Sequence, residues 1–395
     1  MKCRIDKSNC KIFLNFGKMP IANGFLKKQN FKNEYFFNLS VGFNKKLSLF
    51  QLKNNPHPKK MFNKNYPFYT SSSKYMVKHF SKFALWIKSK FKIGKKLKIL
   101  EIGSNDGTFL NNFKNYLHVG IEPSQSVHKI ALANKINSKN KFFDETSINE
   151  YMKKNILFDV IVGSNVICHI PNQIKLISNV KKILKDDGMF IFEEPYLGAM
   201  YKKVSYDQIY DEHIYMFSAS SISKIYNKYG MSLVDAIPQK THGGSMRYII
   251  KKNKSLKVSK RLKRILKEER KKNIDNYKGC IKFKKQVEES KKKLRQKIFK
   301  IKMKKQKICG YGATSKSTTI LNYCGINHNY IDCIFDTTPY KIGKYSPGTH
   351  IPILNYKYFR REKYKNVFLF AWNHKQEIMK KEKKLKHINW FSHLN

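Results

Sequence analysis

The distribution of apolar and polar positions divides the chain into three textures. Between residues 68 and 252, short apolar runs alternate with amphipathic stretches. "KILEIG" at 98–103, "HVGIEP" at 118–123, "DVIVGSN" at 159–165 and "MFIFEEP" at 189–195 are too continuously hydrophobic for half-exposed strands, and read as buried parallel ones. Between them "NQIKLISNVKKILKD", 172–186, sets its apolar residues at helical spacing. This alternation predicts a doubly wound, Rossmann-like α/β core. Residues 1–67 carry short strands and turns around "FGKMPIANGFL" and "NNPHPKK", too little chain for a stable core of its own. Residues 253–306 are strongly basic; Leu262, Leu266, Ile274 and Tyr277, spaced by four, eight and three, suit a helix with one buried stripe. That segment reads as a connector with its lysines in water. "KICGYGATSKSTTILNYCG", "IDCIFDTTP" and "NVFLFAWNH" then restart the strand and helix rhythm, predicting a second, smaller α/β domain. The expected organisation is a small N-terminal domain at 1–67, a core at 68–252, and a connector with a C-terminal α/β domain at 253–395.

The turn after the first core strand, "EIGSNDGTF", is the first candidate site. A nucleotide hydrolase would place a Lys and a hydroxyl after the second glycine, and this turn has no such Lys. A dinucleotide fold would show G-x-G-x-x-G, which is also missing. What remains is an acidic residue, Glu101, with Gly103, Ser104, Asn105, Asp106 and Gly107, followed about 20 residues on by Glu122 at the end of the next strand. A carboxylate there accepts ribose hydroxyls while the glycines let the backbone approach. S-adenosylmethionine, with ribose, adenine, sulfonium and amino-acid tail but no phosphate, fits such a seat. Asn165, closing the third strand, falls where its methionine end would lie.

Charge and cysteine content refine this picture. Eighty Lys and Arg against 27 Asp and Glu give a formal charge of +53, but the lysines are spread along the whole chain and form no stripe. A diffuse positive field attracts polyanions, nucleotide sugars among them, without making a nucleic-acid footprint. No run approaches the roughly 20 apolar residues that span a bilayer, and no signal peptide is evident, so a soluble, cytoplasmic chain is expected. The seven cysteines show no C-x-x-C spacing and read as reduced thiols.

"YTSSSKYM", "ILEIGSNDGTFL", "GSNVICHIPN", "FIFEEPYL", "IYDEHIYMFS", "THGGSMR", "GYGATSKSTTILNYCGI" and "SPGTHIPI" follow one another as in the sugar-nucleotide C-methyltransferases. The chain resembles that family over nearly its entire length. The resemblance implies a class I methyltransferase core between a zinc-type N-terminal domain and a C-terminal domain that helps hold the substrate. It also implies an S-adenosylmethionine-dependent C-methylation of a nucleotide-linked keto-deoxysugar. His213 matches the catalytic base, with Glu212, Tyr210, Tyr69 and His169 at further active-site positions; Asp211 replaces a residue that is commonly histidine. His242, Gly243 and Arg247, in "THGGSMR", match substrate or interdomain positions. Lys316, after the Gly310-x-Gly312 turn, is placed to meet a pyrophosphate, whereas Ser317 in place of glycine argues against NAD. Of the family's zinc cysteines only Cys3 is kept: Asp6, Asn44 and Leu47 stand at other ligand positions and Cys10 is out of register, so no structural zinc is expected. The expected partner is a nucleotide-sugar substrate, with no specific nucleic acid and no membrane, the chain being a monomer or homodimer. A nucleic-acid-binding methyltransferase-like protein and an oxidoreductase using the second glycine turn are the rival readings.

Overall fold

The computed structural model describes residues 1–61, 69–253, 256–362, 364–385 and 387–394. The expected boundary at 67/68 lies outside them. Three sheets organise the chain. The first is antiparallel, in the order β1 (Lys11–Pro20), β2 (Phe36–Asn44), β3 (Leu49–Leu52), with a fourth strand, β9 (Tyr215–Met216), borrowed from far along the chain.

The second sheet contains β4 (Lys98–Ile102), β5 (Leu117–Ile121), β6 (Ser138–Lys139), β7 (Phe158–Ser164) and β8 (Leu184–Pro195), all parallel, and the antiparallel pair β10 (Met231–Gln239) and β11 (Ser245–Lys252). Its order is β10-β11-β8-β7-β4-β5-β6. The four apolar runs read from the sequence are β4, β5, β7 and β8, buried because helices cover both faces. The helix Gln173–Ile183 starts where Asn172 accepts the Lys175 N–H, and it buries Leu176, Ile177, Val180 and Ile183 along one stripe.

The third sheet is wholly parallel: β12 (Ile308–Tyr311), β13 (Cys333–Asp336), β14 (Ile353–Asn355), β15 (Asn366–Leu369) and β16 (Asn389–Phe391), in the order β14-β13-β12-β15-β16. The two parallel sheets therefore repeat one winding, with the first strand central and the order reversing beside it. Ligands bind outside the carboxyl ends of the strands at such a reversal.

The basic stretch departs from the single helix expected. It forms two helices, Lys260–Lys271 and Tyr277–Met303. Asn273 takes a left-handed φ of 57°, Ile274 turns inward, and the Asn276 side chain caps the second helix by accepting the Lys278 N–H. The longer helix glues the ends of the chain together, since Phe283, Val287, Leu294 and Ile298 share one core with Phe13 and Phe50 of the first sheet, Ile320 of the helix Ser315–Cys324 and Phe368 of the third sheet. Among the described residues no helix is long and apolar enough to cross a membrane.

At the positions of the family's zinc ligands the chain builds a hydrogen-bonded knuckle. Asp6 accepts from the Ser8 backbone and hydroxyl at 3.1 and 2.6 Å, and the Asn44 carboxamide donates to Ser8 Oγ at 2.7 Å and Asn9 O at 3.2 Å while accepting the Leu47 N–H at 2.7 Å. Gln51 Nε2 donates to Cys10 Sγ at 3.0 Å. Leu47 is buried against the core together with Cys3, Ile5 and Leu49.

Candidate active site

The carboxyl ends of β4, β5 and β7 and those of β12, β13 and β15 open onto one cavity of about 1500 Å³. A pocket for a single small ligand holds roughly 300–1,000 Å³, so this one has room for two.

The core contributes the first end. Gly103 (φ 67°) and Asn105 (φ 50°) bend the chain after β4. Glu122, just past β5, clamps that turn: its carboxylate accepts the Asn105 N–H at 3.0 Å and the Ser124 N–H at 2.7 Å. Glu101 is buried in the cavity wall with Oε2 unpartnered, and burial, then the nearby Asp106 and Glu122, push its pKa well up. Among the described residues, Ser104 Oγ and Asn165 Oδ1 are likewise buried without partners. Asn165 itself sits at φ 54°, a left-handed conformation that costs a non-glycine residue and clusters at functional sites. Its Nδ2 lies 3.0 Å from Nε2 of His242, which also has a left-handed φ of 50°. Orphaned buried acceptors at one end of a cavity fit a ligand carrying positive charge and hydroxyl donors, as S-adenosylmethionine does. Glu101, Gly103, Ser104, Asn105, Glu122 and Asn165 are the residues that would hold it.

Asp106 and Gly107, expected beside the cofactor, do not line the cavity. The Asp106 carboxylate is consumed by the Ser71 N–H at 2.8 Å and by Thr108, so it seats the segment bearing Tyr69. Gly107 provides a φ of 79° next to Ile136.

The middle of the cavity holds the reactive cluster. Tyr69, His169, Tyr210, Glu212, His213 and His242 all line it. His213 Nδ1 is 2.7 Å from the Gln208 carbonyl oxygen. A carbonyl only accepts, so Nδ1 carries the proton and the Nε2 lone pair is the basic site. Nε2 accepts from the Tyr210 hydroxyl at 2.9 Å, and the His169 ring lies parallel to His213 with centroids 5.3 Å apart. The near-neutral base expected from an unperturbed imidazole is corrected here: burial first, with Lys316 adding to it, lowers the His213 pKa to about 4. The same causes lower His242 to about 3. Asp211 and Glu212 form a buried acidic pair, both raised by loss of water. Cys168, His169 and His213 bring ligand-type atoms within 4.8 Å of one another, but both His213 nitrogens are engaged, and burial, then the nearby Glu194, push the Cys168 thiol pKa well up.

Glu194, unmarked by the sequence reading, sets the height of this cluster. Its Oε1 accepts three successive backbone N–H groups, Val166, Ile167 and Cys168, at 3.1, 2.7 and 3.2 Å, fixing the loop that presents Asn165 and His169. Its neighbour Glu193 corrects another expectation. Arg247 pairs with Glu193 Oε1 through Nε and Nη2 at 2.6 and 2.5 Å and lies 3.7 Å over the Phe83 ring, outside the cavity. It is a buried strut of the sheet, not a substrate contact. Gly243 also stays off the cavity wall; a Cβ there would come 2.2 Å from the Trp372 ring, so its absence lets the C-terminal unit dock.

That unit forms the other end. Thr314 caps the helix Ser315–Cys324, whose first residues and Lys316 face the cavity. Lys316 donates to Asn373 Oδ1 at 3.2 Å, and Lys341 to the Ala313 carbonyl at 2.7 Å. Both lysines keep part of their surface, but it faces the cavity, and the surrounding protein lowers both ammonium pKa values. Asn23, Thr314, Ser315 and Lys341 escaped the sequence reading. Only the helix-capping pattern T-S-K-S hinted at the second and third.

Residues 74–236 match the family model described as a methyltransferase domain, and residues 240–390 the one described as C-methyltransferase C-terminal domain. The C-methyltransferase NovU of Streptomyces niveus is 26% identical over 374 residues, which is 94% of this chain and 89% of that one. Magnesium protoporphyrin IX methyltransferase of Synechocystis PCC 6803, solved with bound SAM, is 13% identical over 44% of this chain and 78% of its own, with a TM-score of 0.33. The plantazolicin methyltransferase BpumL, solved with SAH, is 14% identical over 46% and 86%, with a TM-score of 0.37. The strand order and the acceptor-lined seat define a class I methyltransferase with S-adenosylmethionine as cofactor. More narrowly, the chain carries a methyltransferase domain followed by the C-methyltransferase C-terminal domain.

Proposed function

We propose that the chain methylates a carbon beside the ketone of a nucleotide-linked keto-deoxysugar. One observation carries this reading: a single cavity runs from orphaned acceptors, through an imidazole and phenol cluster, to two lysines and a helix N-terminus. The last suits a diphosphate, and the first suits a cation. When bound, S-adenosylmethionine supplies an electrophilic methyl group. Of the three units, 1–67, 68–252 and 253–395, the second supplies the acceptors and the reactive cluster, the third supplies the lysines, and the first adds Asn23 to the wall between them.

His213 Nε2 takes the proton from the carbon alpha to the ketone once substrate displaces the Tyr210 hydroxyl from its lone pair. The Nδ1–H bond to the Gln208 carbonyl then steadies the imidazolium. Tyr210, His169 and Tyr69 surround the place where the enolate oxygen develops charge. A base lowered to about 4 is weak for a carbon acid. Its depression comes partly from Lys316, so a substrate diphosphate that neutralises that lysine restores basicity where the proton is to be taken. The test offers 4-keto-6-deoxyhexoses linked to thymidine, uridine, cytidine or guanosine diphosphate, with labelled S-adenosylmethionine. Label appearing on a sugar carbon is the expected result; label on none of them discards the substrate class.

A further inference from the structure

The turn after β1 carries more than a change of direction. Gly24 N–H closes it onto the Ile21 carbonyl at 2.9 Å, and a Cβ on Gly24 would come within 3.0 Å of that oxygen. Both residues inside the turn reach the acidic pair of the reactive cluster. The Ala22 N–H donates to Asp211 Oδ1 at 2.9 Å, and Asn23 Nδ2 donates to Glu212 Oε1 at 2.7 Å. From the opposite side Thr318 Oγ1 donates to the Ala22 carbonyl at 2.8 Å, and Thr319 Oγ1 to the Ile209 carbonyl at 3.0 Å. The first sheet, the core and the C-terminal unit therefore meet at one tripeptide, and Asn23 lines the cavity beside Glu212.

Asp211 and Glu212 are adjacent, 1% and 3% exposed, and among the described residues neither is in an ion pair. Two such carboxyls do not both ionise, so the pair retains a proton. An amide nitrogen can only donate, which keeps that proton off Glu212 Oε1. Among the described residues Glu212 Oε2 has no hydrogen-bond partner, and the residue borders the cavity.

We propose that Asn23 is a positioning residue for methyl transfer: by holding Oε1 it turns the protonated Oε2 of Glu212 toward the substrate oxygen beside His213. The proposal rests on the reading of Tyr210–His213 as the reaction centre. The O–H of Glu212 serves as a hydrogen-bond donor to the oxygen on which enolate charge builds, and no proton leaves the pair.

Two measurements on the full-length protein test it. The first needs no substrate. The infrared difference spectrum between acidic and alkaline solution should contain a protonated-carboxyl band that disappears in Glu212→Gln and shifts in Asn23→Ala. No such band, or one that Asn23→Ala leaves in place, overturns the proposal. The second is a double-mutant cycle on the sugar nucleotide that turns over. Asn23→Ala should lower kcat about tenfold, the scale of one buried hydrogen bond, with cofactor affinity by calorimetry within about twofold of the parent. In a Glu212→Ala background, which has no group left to position, the same change should cost under about twofold. Asn23→Asp, which sets a third carboxyl against the pair and removes the N–H that holds Oε1, should lose more than Asn23→Ala. Independent costs, or an Asn23→Asp variant no slower than Asn23→Ala, overturn it. If no sugar nucleotide is methylated, the substrate reading fails while the infrared measurement still decides the role of Asn23.

Discussion

β4 and β12 end in glycine turns built on the same plan, and the comparison shows what such a turn does and does not decide. In the first, Glu122 beyond β5 accepts the N–H groups of Asn105 and Ser124. In the second, Asp336 ending β13 accepts the N–H groups of Ala313 and Thr338, each at 2.7 Å. Each acid is therefore first a clamp that fixes its own turn, and only its remaining lone pairs face a ligand. The preference for ligand charge comes from the surroundings. Around the first turn stand Glu101, Ser104 and Asn165, acceptors without partners. Around the second stand Lys316, Lys341 and the hydroxyls of Thr314 and Ser315. In the proposed reaction one winding thus serves a cation at one end of the cavity and an anion at the other, with the base between them.

The sharpest way to break this scheme is to remove what lies between the two ends. His213→Ala should lower turnover by about 10³, the scale of general-base catalysis, while cofactor affinity measured by calorimetry stays within about twofold; unchanged turnover would discard His213 as the base. Its protonation gives a second reading. Burial lowers its pKa, so the imidazole is neutral and competent throughout the usual histidine range, and activity falls only as pH drops through about 4. That value should appear in kcat/KM, which reports the free protein. In kcat the acid limb should lie higher, because the bound diphosphate offsets Lys316. Identical limbs would remove the coupling between the anionic end and the base.

A smaller effect separates the two turns themselves. Lys316→Met or Lys341→Met should raise KM for the sugar nucleotide about 10–100-fold, as expected for a lost charged hydrogen bond, leaving cofactor affinity alone. Glu101→Gln should do the reverse, weakening S-adenosylmethionine about tenfold with KM for the sugar nucleotide unchanged. Calorimetry and steady-state kinetics on the same preparations read both. If either variant moves both affinities equally, the two ends are not independent sites.

The smallest effect concerns the N-terminal knuckle, where side-chain amides and Leu47 stand at metal-ligand positions. Incubation with a strong chelator should leave the thermal midpoint of the protein unchanged, and a clear drop would show that a metal holds the knuckle.

Much of this fold was legible because its elements are coded locally. The runs 98–103, 159–165 and 189–195 announce buried strands by their unbroken hydrophobicity, and 172–186 announces a helix by its apolar spacing. The site was legible in part. Tyr69, His169, Tyr210, Glu212 and His213 do converge, whereas Arg247 satisfies Glu193 and Asp106 satisfies Ser71. The chemistry of an Arg or an Asp in a motif is the same whether it meets a ligand or a neighbour. Only a partner 54 positions away, Glu193, shows which of the two Arg247 does.

The sequence by itself determined the strand and helix rhythm, both glycine turns and the residue types of the reactive cluster, because these depend on spacings of a few residues. Tertiary structure decided the rest: the fall of the His213 pKa, the proton shared by Asp211 and Glu212, and the arrival of Asn23 beside an acid 189 positions away. Desolvation and Coulomb energy depend on distance in space and on what excludes water. Neither quantity is fixed until the three units close on a common cavity.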